Sequence, residues 1–185
     1  MAGEIKWWRR IDIYDTSFPF CLSPDDNCFY YRDYIVRGGY QCSETNQLIF
    51  NLKKRIEDIR DNPSTKKYKD QAISCFVDDS SYFFENLIKQ GGEISVLLIP
   101  VPSSHAKTDP TYDDRLIQVV TQLSKRYPSF VVDEALAVTE TLKPSHLSGP
   151  RSIDAFQHVL QFEKHVNIEP ELIVIIDDLI TSGAH

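Results

Sequence analysis

An unbroken apolar run near the end of the chain is the clearest feature of the hydrophobic pattern. Leu172 to Ile176 are consecutive aliphatic residues, mostly β-branched, and Asp177 and Asp178 follow them directly. Such a run is typical of a strand buried on both faces, as at the centre of a parallel sheet. The alternative interpretation is a buried strand that simply ends in a polar turn.

Helical spacing of apolar residues predicts most of the remaining regular structure. Ser43 is a candidate N-cap for a helix over about residues 44–60. A second helix is expected within residues 64–77; the polar residues 78–80 should end it and cap a third helix, which stops at the glycine pair 91–92. Two later helices are predicted from these apolar positions: Leu116, Ile117, Val120 and Leu123, and, after Ser152, Ile153, Phe156, Val159 and Leu160.

Further strands alternate with these helices. Residues 94–99 predict a core strand that leads into the loop from Pro100 to His105, while 130–132 and 136–142 are expected to be extended. Alternating strands and helices predict an α/β fold with a mainly parallel sheet flanked by helices. The strands that start near Ile94 and Leu172 should be neighbours if their loops serve one ligand.

Length and charge narrow the class of protein. The chain has 185 residues and a net charge of −7, which argues against a general DNA- or RNA-coating role. It contains neither an apolar stretch of transmembrane length nor a signal-peptide pattern, so we expect a cytoplasmic location and no membrane partner. One domain, or one domain with an appendage, fits this length.

The cysteines do not form a recognisable metal-binding pattern. Cys21, Cys28, Cys42 and Cys75 are irregularly spaced and include no C-x-x-C pair. A zinc site built from them would need unusual loops. Reduced, partly buried thiols fit a cytosolic chain better.

Two loops carry the candidate chemistry. Asp177 and Asp178 lie where open α/β sheets bind ligands, and the following Thr181-Ser182-Gly183 offers hydroxyls and amides to a phosphate. We expect the two aspartates to be exposed to a cleft at the strand end. The loop after the strand at 94–99 is rich in small and hydroxyl residues, which lets its backbone approach an anion, although a proline-kinked turn explains it equally well.

The segment from Ile175 to Ala184 resembles the phosphoribosyl-pyrophosphate (PRPP) motif of type I phosphoribosyltransferases. Apolar residues, an acid pair, two apolar residues, a hydroxyl pair and a glycine occur in the same order. In that family the acids contact the ribose hydroxyls, and the hydroxyl-glycine loop surrounds the 5′-phosphate. The resemblance implies the type I fold, PRPP as a ligand, and Mg²⁺ as the cofactor that PRPP carries.

Residues 94–185 also resemble the competence-protein-F branch of phosphoribosyltransferase-like proteins. The shared features are the Val-Pro loop, Arg115 on a helix, Thr139 in an extended segment, and an Arg-x-x-x-Ala-Phe element at 151–156. The chain departs from that branch at Asp154, where an asparagine is usual, and it lacks the paired cysteines of many relatives. It stops two residues after Gly183, so we expect a truncated core, completion by another chain, or a weakened site.

The resemblance implies transfer of the phosphoribosyl group from PRPP to an unidentified nitrogen acceptor, with release of pyrophosphate. Asp177 and Asp178 are the implied catalytic residues, with Mg²⁺ near them. Lys143 is a weaker candidate for contact with pyrophosphate, and neither His105 nor His146 is expected to be essential. The implied PRPP-binding residues are Pro102, Ser103, Ser104, Arg115, Arg151, Ile180, Thr181, Ser182, Gly183 and Ala184.

The first half of the chain has a different character. Residues 1–92 form an aromatic and helical region that we interpret as a hood or docking element, and residues 93–185 form the phosphoribosyltransferase-like core. The N-terminal region is a candidate contact surface for a second copy of the chain or a partner protein. The alternative function is a non-catalytic PRPP- or nucleotide-sensing, or protein-interaction, module with the same fold.

Overall fold

The structure, a computed structural model, describes residues 8–11, 23, 25–141 and 158–179. Its helices are α1 (Glu44–Leu52), α2 (Ile56–Asp61), α3 (Lys66–Gly91) and α4 (Arg115–Arg126), with a 3-10 turn at Pro63–Thr65. Its strands are β1 (Arg9–Arg10), β2 (Phe29–Tyr30), β3 (Val96–Pro100), β4 (Phe130–Val132), β5 (Leu136–Val138), β6 (Leu160–Phe162) and β7 (Leu172–Ile176). None of the helices in these ranges is long and apolar enough to cross a membrane.

A three-stranded parallel sheet in the order β4-β3-β7 lies at the centre of the fold. β3 pairs with β7 along its whole length, from Val96 opposite Leu172 to Pro100 opposite Ile176, and with β4 at its other edge. The expected pairing of these two strands is therefore confirmed. The fold is α/β with a small parallel sheet flanked by helices; its identity as a type I phosphoribosyltransferase fold stays a prediction.

Alternate residues of β3 face the two halves of the core, as the pleat of a strand requires. Val96 and Leu98 belong to the larger half, which α3 and α4 also build. Leu97 and Ile99 belong to the smaller half. The larger cluster consists of Leu52, Ala72, Ile73, Val77, Phe84, Val96, Leu98, Val101, Leu116, Val119, Val120, Leu123, Phe130 and Ile176.

The expectation that β7 is buried on both faces is wrong. Within the described residues β7 is an edge strand, and Ile173 and Ile175 are 58% and 62% exposed. All five residues of β3 are buried, so β3 takes the central position. An apolar run indicates that a segment favours a buried strand. Which faces of the strand are covered depends on the elements that pack against it.

The predicted helix over residues 44–60 is interrupted after α1 and restarts at α2. Ser43 caps α1 as expected, because its side chain accepts the amide hydrogen of Asn46. The interruption coincides with two tertiary contacts: the Lys53 ammonium binds Asp178, and the Lys54 carbonyl accepts a hydrogen bond from Lys69. The helical spacing of apolar residues gives no information about these distant partners.

The predicted break at residues 78–80 is also wrong, since α3 runs through them without interruption. Asp79 lies inside this helix, where Arg32 donates to both of its carboxylate oxygens. The Ser81 hydroxyl accepts a hydrogen bond from Arg126 of α4. These residues therefore serve tertiary contacts and do not cap a helix. The end of α3 at the glycine pair is confirmed, and Gly92 has a positive φ of 84°.

An antiparallel hairpin of β5 and β6 follows the sheet strand β4. The extended conformation expected from residue 136 is confirmed over β5. The helix predicted after Ser152 is wrong at its end, because Val159 lies in a turn and Leu160 begins β6. Residues 142–157, which include the start of that predicted helix, lie outside the described part of the chain.

The aromatic N-terminal residues pack against α3. The indole N–H of Trp8 donates to the Asp79 carbonyl, and its ring lies 5.4 Å from Tyr31 and 5.2 Å from Phe83. The ring of Phe29 in β2 also lies 5.5 Å from that of Phe83. The larger core cluster includes residues from both sides of the boundary expected after residue 92, and that boundary stays a prediction.

Candidate functional site

The carboxyl ends of the three parallel strands lie at one edge of the sheet. The Val101 amide donates to the Ile176 carbonyl at 2.9 Å, and the Asp133 amide donates to the Leu98 carbonyl at 3.0 Å. The loop that follows β3 therefore starts directly beside the aspartates that follow β7. Parallel sheets bind their ligands at this edge.

Asp178 is buried and fully paired, contrary to the expectation that it is exposed to a cleft. Lys53 donates to its Oδ1 at 3.0 Å, while the Nε and one terminal nitrogen of Arg115 lie 2.6 Å from its Oδ2. Burial by itself would raise the pKa of Asp178, but the charges of Arg115 and Lys53 lower it below the ordinary value. The carboxylate is therefore held ionised.

Asp177 is partly buried and shapes the turn after β7. Its Oδ1 accepts the Asp178 amide hydrogen at 2.7 Å. Burial raises the pKa of the Cys28 thiol, and the carboxylates of Asp26 and Asp177 raise it further. The charge of Asp177 therefore acts on the segment before β2, which belongs to the N-terminal region.

Arg115 connects Asp178 to a second carboxylate. It donates to Asp113 at 2.9 Å, and Asp113 also binds Lys69 at 2.7 Å. Burial would lower the pKa of Arg115, but Asp178 and Asp113 raise it overall. In this structure the guanidinium predicted to hold pyrophosphate is engaged by two carboxylates of the protein.

The loop after β3 contributes to a cleft beside Arg115. Pro102 and Ser103 line the cleft together with Tyr112, Lys107 and other residues. Its volume is about 10 Å³, close to the space of one water molecule. Pyrophosphate is larger than this space, so the cleft as it stands does not enclose such an ion.

Hydrogen bonds within the chain hold this loop in place. The Ser103 hydroxyl accepts the His105 amide hydrogen at 3.2 Å, and His105 Nδ1 lies 2.6 Å from the Thr111 hydroxyl. Hydrogen bonds from Thr111 and Thr141 lower the pKa of Asp109 to about 2. The Ala106 amide also donates to Thr141, which ties the loop to the end of the β5 segment.

The cleft also contains groups to which the sequence analysis gave no role. Lys107 forms an ion pair with Glu134. Burial, and then the charge of Glu134, raises the pKa of Tyr112 to about 12, so the phenol keeps its proton at neutral pH. These side chains add a positive charge, a negative charge and a neutral hydroxyl to the lining of the cleft.

Several predicted site residues lie outside the described part of the chain. They are Lys143, His146, Arg151, Ile180, Thr181, Ser182, Gly183 and Ala184. Thr139 is described, and its amide and hydroxyl both donate to the Val159 carbonyl. It closes the β5-β6 hairpin in this structure, and its implied role at the site is untested.

Sequence reasoning missed Lys53, Lys69 and Asp113. Lys53 lies in a stretch predicted to be the interior of a helix, and it meets Asp178 from a distance of 125 positions along the chain. No local motif marks such a contact. Among the described residues, no group of three or more His, Cys, Asp and Glu side chains could hold a metal ion.

No family model, curated protein or solved structure matches this chain. Its function is therefore inferred from the residues of the site.

Proposed function

We propose that this protein binds PRPP with Mg²⁺ and transfers the phosphoribosyl group to a nitrogen acceptor. One observation supports this most directly: the loop from Pro100 to His105 leaves the sheet beside the acid pair, through the hydrogen bond between Val101 and Ile176. A single ligand with a ribose and a pyrophosphate can then contact both segments.

In the proposed reaction the bond between the anomeric carbon and the pyrophosphate oxygen breaks, and a carbon–nitrogen bond forms. Pyrophosphate leaves with the electron pair, while the nucleophile loses a proton to solvent or to a base of the site. Positive charge develops at the anomeric carbon in the transition state. Asp177 and Asp178 place carboxylates near that charge and accept hydrogen bonds from the ribose hydroxyls.

The phosphate groups need donors on both sides of the acid pair. The proposal assigns the 5′-phosphate to Thr181, Ser182 and the amides around Gly183. It assigns pyrophosphate to the loop containing Ser103 and Ser104, with Arg151 as a further cation.

The residues of the site fit Mg²⁺ that arrives with the ligand, because both oxygens of Asp178 are already paired with cations of the chain and Asp177 adds a neighbouring carboxylate. When bound, Mg²⁺ supplies positive charge that stabilises the pyrophosphate leaving group. The chain itself contributes the two carboxylates.

A second candidate function is the binding of PRPP or a nucleotide without turnover, as a sensor or interaction module. The complete pairing of Asp178 favours this second function, because a site without turnover does not need a free carboxylate near the reacting carbon. Turnover distinguishes the two candidates: an enzyme releases pyrophosphate with some nitrogen base, whereas a sensor binds PRPP and releases none.

Calorimetry with PRPP tests the binding of PRPP, which both candidate functions require. We expect binding with excess Mg²⁺ and much weaker binding with excess chelator, because pyrophosphate carries several negative charges while the nearby cations Lys53 and Arg115 already pair with Asp178. Equal affinity in both conditions removes the metal from the proposal. Absence of binding in both rejects PRPP as the ligand.

Asp177→Asn is the best variant for the acid pair. An asparagine oxygen can still accept the Asp178 amide hydrogen, so the turn should be preserved. Loss of the charge-assisted bond should weaken PRPP binding by roughly ten- to a hundredfold. Asp61→Asn, at an exposed position of α2, is the matched control and should leave both the melting temperature and the affinity unchanged.

A further inference from the structure

The charged residues around Asp178 form a connected network with one accessible end. It runs from Lys53 through Asp178, Arg115 and Asp113 to Lys69. The side chains of the four inner members are exposed by 15% or less, whereas that of Lys53 is 42% exposed. A ligand that approaches from solvent therefore meets Lys53 first.

Arg115 is fixed within this network. Its guanidinium donates to Asp178 and to Asp113, and its backbone amide donates to Asp113 as well. Removing one partner from a buried pair of charges is strongly unfavourable, since the other charge is left uncompensated. Moving Arg115 toward a ligand would disturb both carboxylates and, through Asp113, Lys69.

Lys53 is held much more weakly. It makes a single contact with Asp178, through Oδ1, from a flexible stem that is partly in water. Although the Asp178 side chain is buried, Lys53 is 42% exposed, and its flexible stem lets the ammonium group reach several positions. Withdrawal of Lys53 would free Oδ1 of Asp178, while Arg115 keeps the carboxylate oriented through Oδ2.

We propose that Lys53 is the exchangeable partner of Asp178: on ligand binding its ammonium moves to a phosphate oxygen, and Asp178 Oδ1 takes a ribose hydroxyl. This inference rests on the proposed function and makes that function more specific. It transfers the role of the cation that contacts a phosphate group of the ligand from Arg115 to Lys53. It also places a residue of the N-terminal region in contact with the ligand.

The exchange explains why the Asp178 carboxylate is completely paired at a position where a ligand is expected to bind. Without a ligand, Lys53 compensates the charge of Asp178. With a ligand, the neutral hydroxyl replaces Lys53 at Oδ1, and the ligand's anionic group takes the ammonium. Both charges keep a partner in each state, so neither is left buried alone.

The test compares Lys53→Gln with Lys54→Gln in otherwise complete protein. Both variants remove one positive charge from the same turn, but only Lys53 contacts Asp178 through its side chain. Calorimetry is performed with Mg²⁺ and each of three probes: PRPP, ribose 5-phosphate and inorganic pyrophosphate. Thermal melts of all proteins are recorded in parallel.

We expect Lys53→Gln to weaken PRPP binding by roughly tenfold or more, as loss of a charge-assisted contact implies. Lys54→Gln should stay within about twofold of the wild type, because its side chain has no role in this exchange. Both melts should remain close to that of the wild type. Higher salt should reduce the difference between the variants, since Lys53 is partly exposed.

Other outcomes separate the inference from the proposed function. Unchanged PRPP affinity in Lys53→Gln overturns the exchange and leaves PRPP binding intact. Tighter binding also overturns it, because Lys53 would then only compete with the ligand for Asp178. If the wild type binds ribose 5-phosphate but not PRPP, and Lys53→Gln loses that binding, the exchange stands and the proposed function fails. Absence of binding with every probe rejects both.

Discussion

At the scale of single residues, buried carboxylates connect distant parts of this chain. Asp79 joins α3 to Arg32, and Asp178 joins the end of β7 to Lys53 and Arg115. Asp133, at the end of β4, accepts hydrogen bonds from the His165 ring and from the amides of residues 165 and 166. Burial would raise the pKa of Asp133, but these hydrogen bonds lower it. Each carboxylate is thus compensated by donors from another segment.

The neighbouring residues Asp78 and Asp79 provide a matched test of this conclusion. Asp79→Asn should destabilise the protein by about 3 kcal/mol, because it leaves the buried charge of Arg32 without a full partner. Asp78 pairs with Arg126 at the surface, and Asp78→Asn should cost about 1 kcal/mol or less. Urea unfolding of both variants measures the difference. Equal losses would contradict the structural role assigned to Asp79.

At the scale of elements, two strands with similar apolar sequences, β3 and β7, take different positions in the sheet. β3 is covered on both faces, by the helices on one side and by residues around Ala135 on the other. β7 pairs with β3 along its whole length and keeps Ile173 and Ile175 exposed. Among the described strands β7 lies at an edge, and the aspartates after it are within reach of the C-terminal end of α1 and of α4. This arrangement allows Lys53 and Arg115 to meet at Asp178.

Ile99 and Ile175 lie directly opposite each other on adjacent strands, so the same substitution can be compared at both. Ile99→Ala should cost about 2–5 kcal/mol, because it leaves a cavity in a packed core. Ile175→Ala should cost about 1 kcal/mol, since most of its side chain is already in water. Equilibrium unfolding in urea gives both values. A loss at Ile175 as large as that at Ile99 would show that this face of β7 is covered.

At the scale of the whole molecule, the described residues of both halves share a hydrophobic core. Leu52 and the buried face of α3 pack in the same cluster as Val96, Leu98 and the apolar face of α4. Residues 93–185 alone would expose that surface. The aromatic segments around Trp8 and Phe29 add to the same structure through Phe83. Burial of a common surface couples the stability of the two halves.

This coupling predicts a single unfolding transition. Both tryptophans, Trp7 and Trp8, lie at the start of the chain, ahead of every described helix, so their fluorescence reports on this aromatic segment, whereas far-ultraviolet circular dichroism reports mainly on the helices. The two signals should give the same urea midpoint. A fluorescence transition at a lower urea concentration would show that the aromatic segment detaches before the helices unfold.

The sequence by itself determined the α/β class, the strands at 96–100, 130–132 and 172–176, and helix α4. These elements follow from local apolar spacing, which covers only a few neighbouring residues. The sequence also located the acid pair at the end of a strand and the loop after another. Both features are local, so one chain segment suffices to recognise them.

The tertiary structure alone decided which strand is central, that α3 continues through Asp79, and that Lys53 reaches Asp178. Each depends on a partner far away in the sequence. A carboxylate within a helical pattern suggests a helix cap, because the sequence does not show the buried arginine that compensates its charge. An apolar strand suggests a central position, because the sequence does not show its neighbours in the sheet. The ion pairs of Asp178 were likewise decided by the tertiary structure, because charge compensation in a core is a property of the assembled fold and not of a motif.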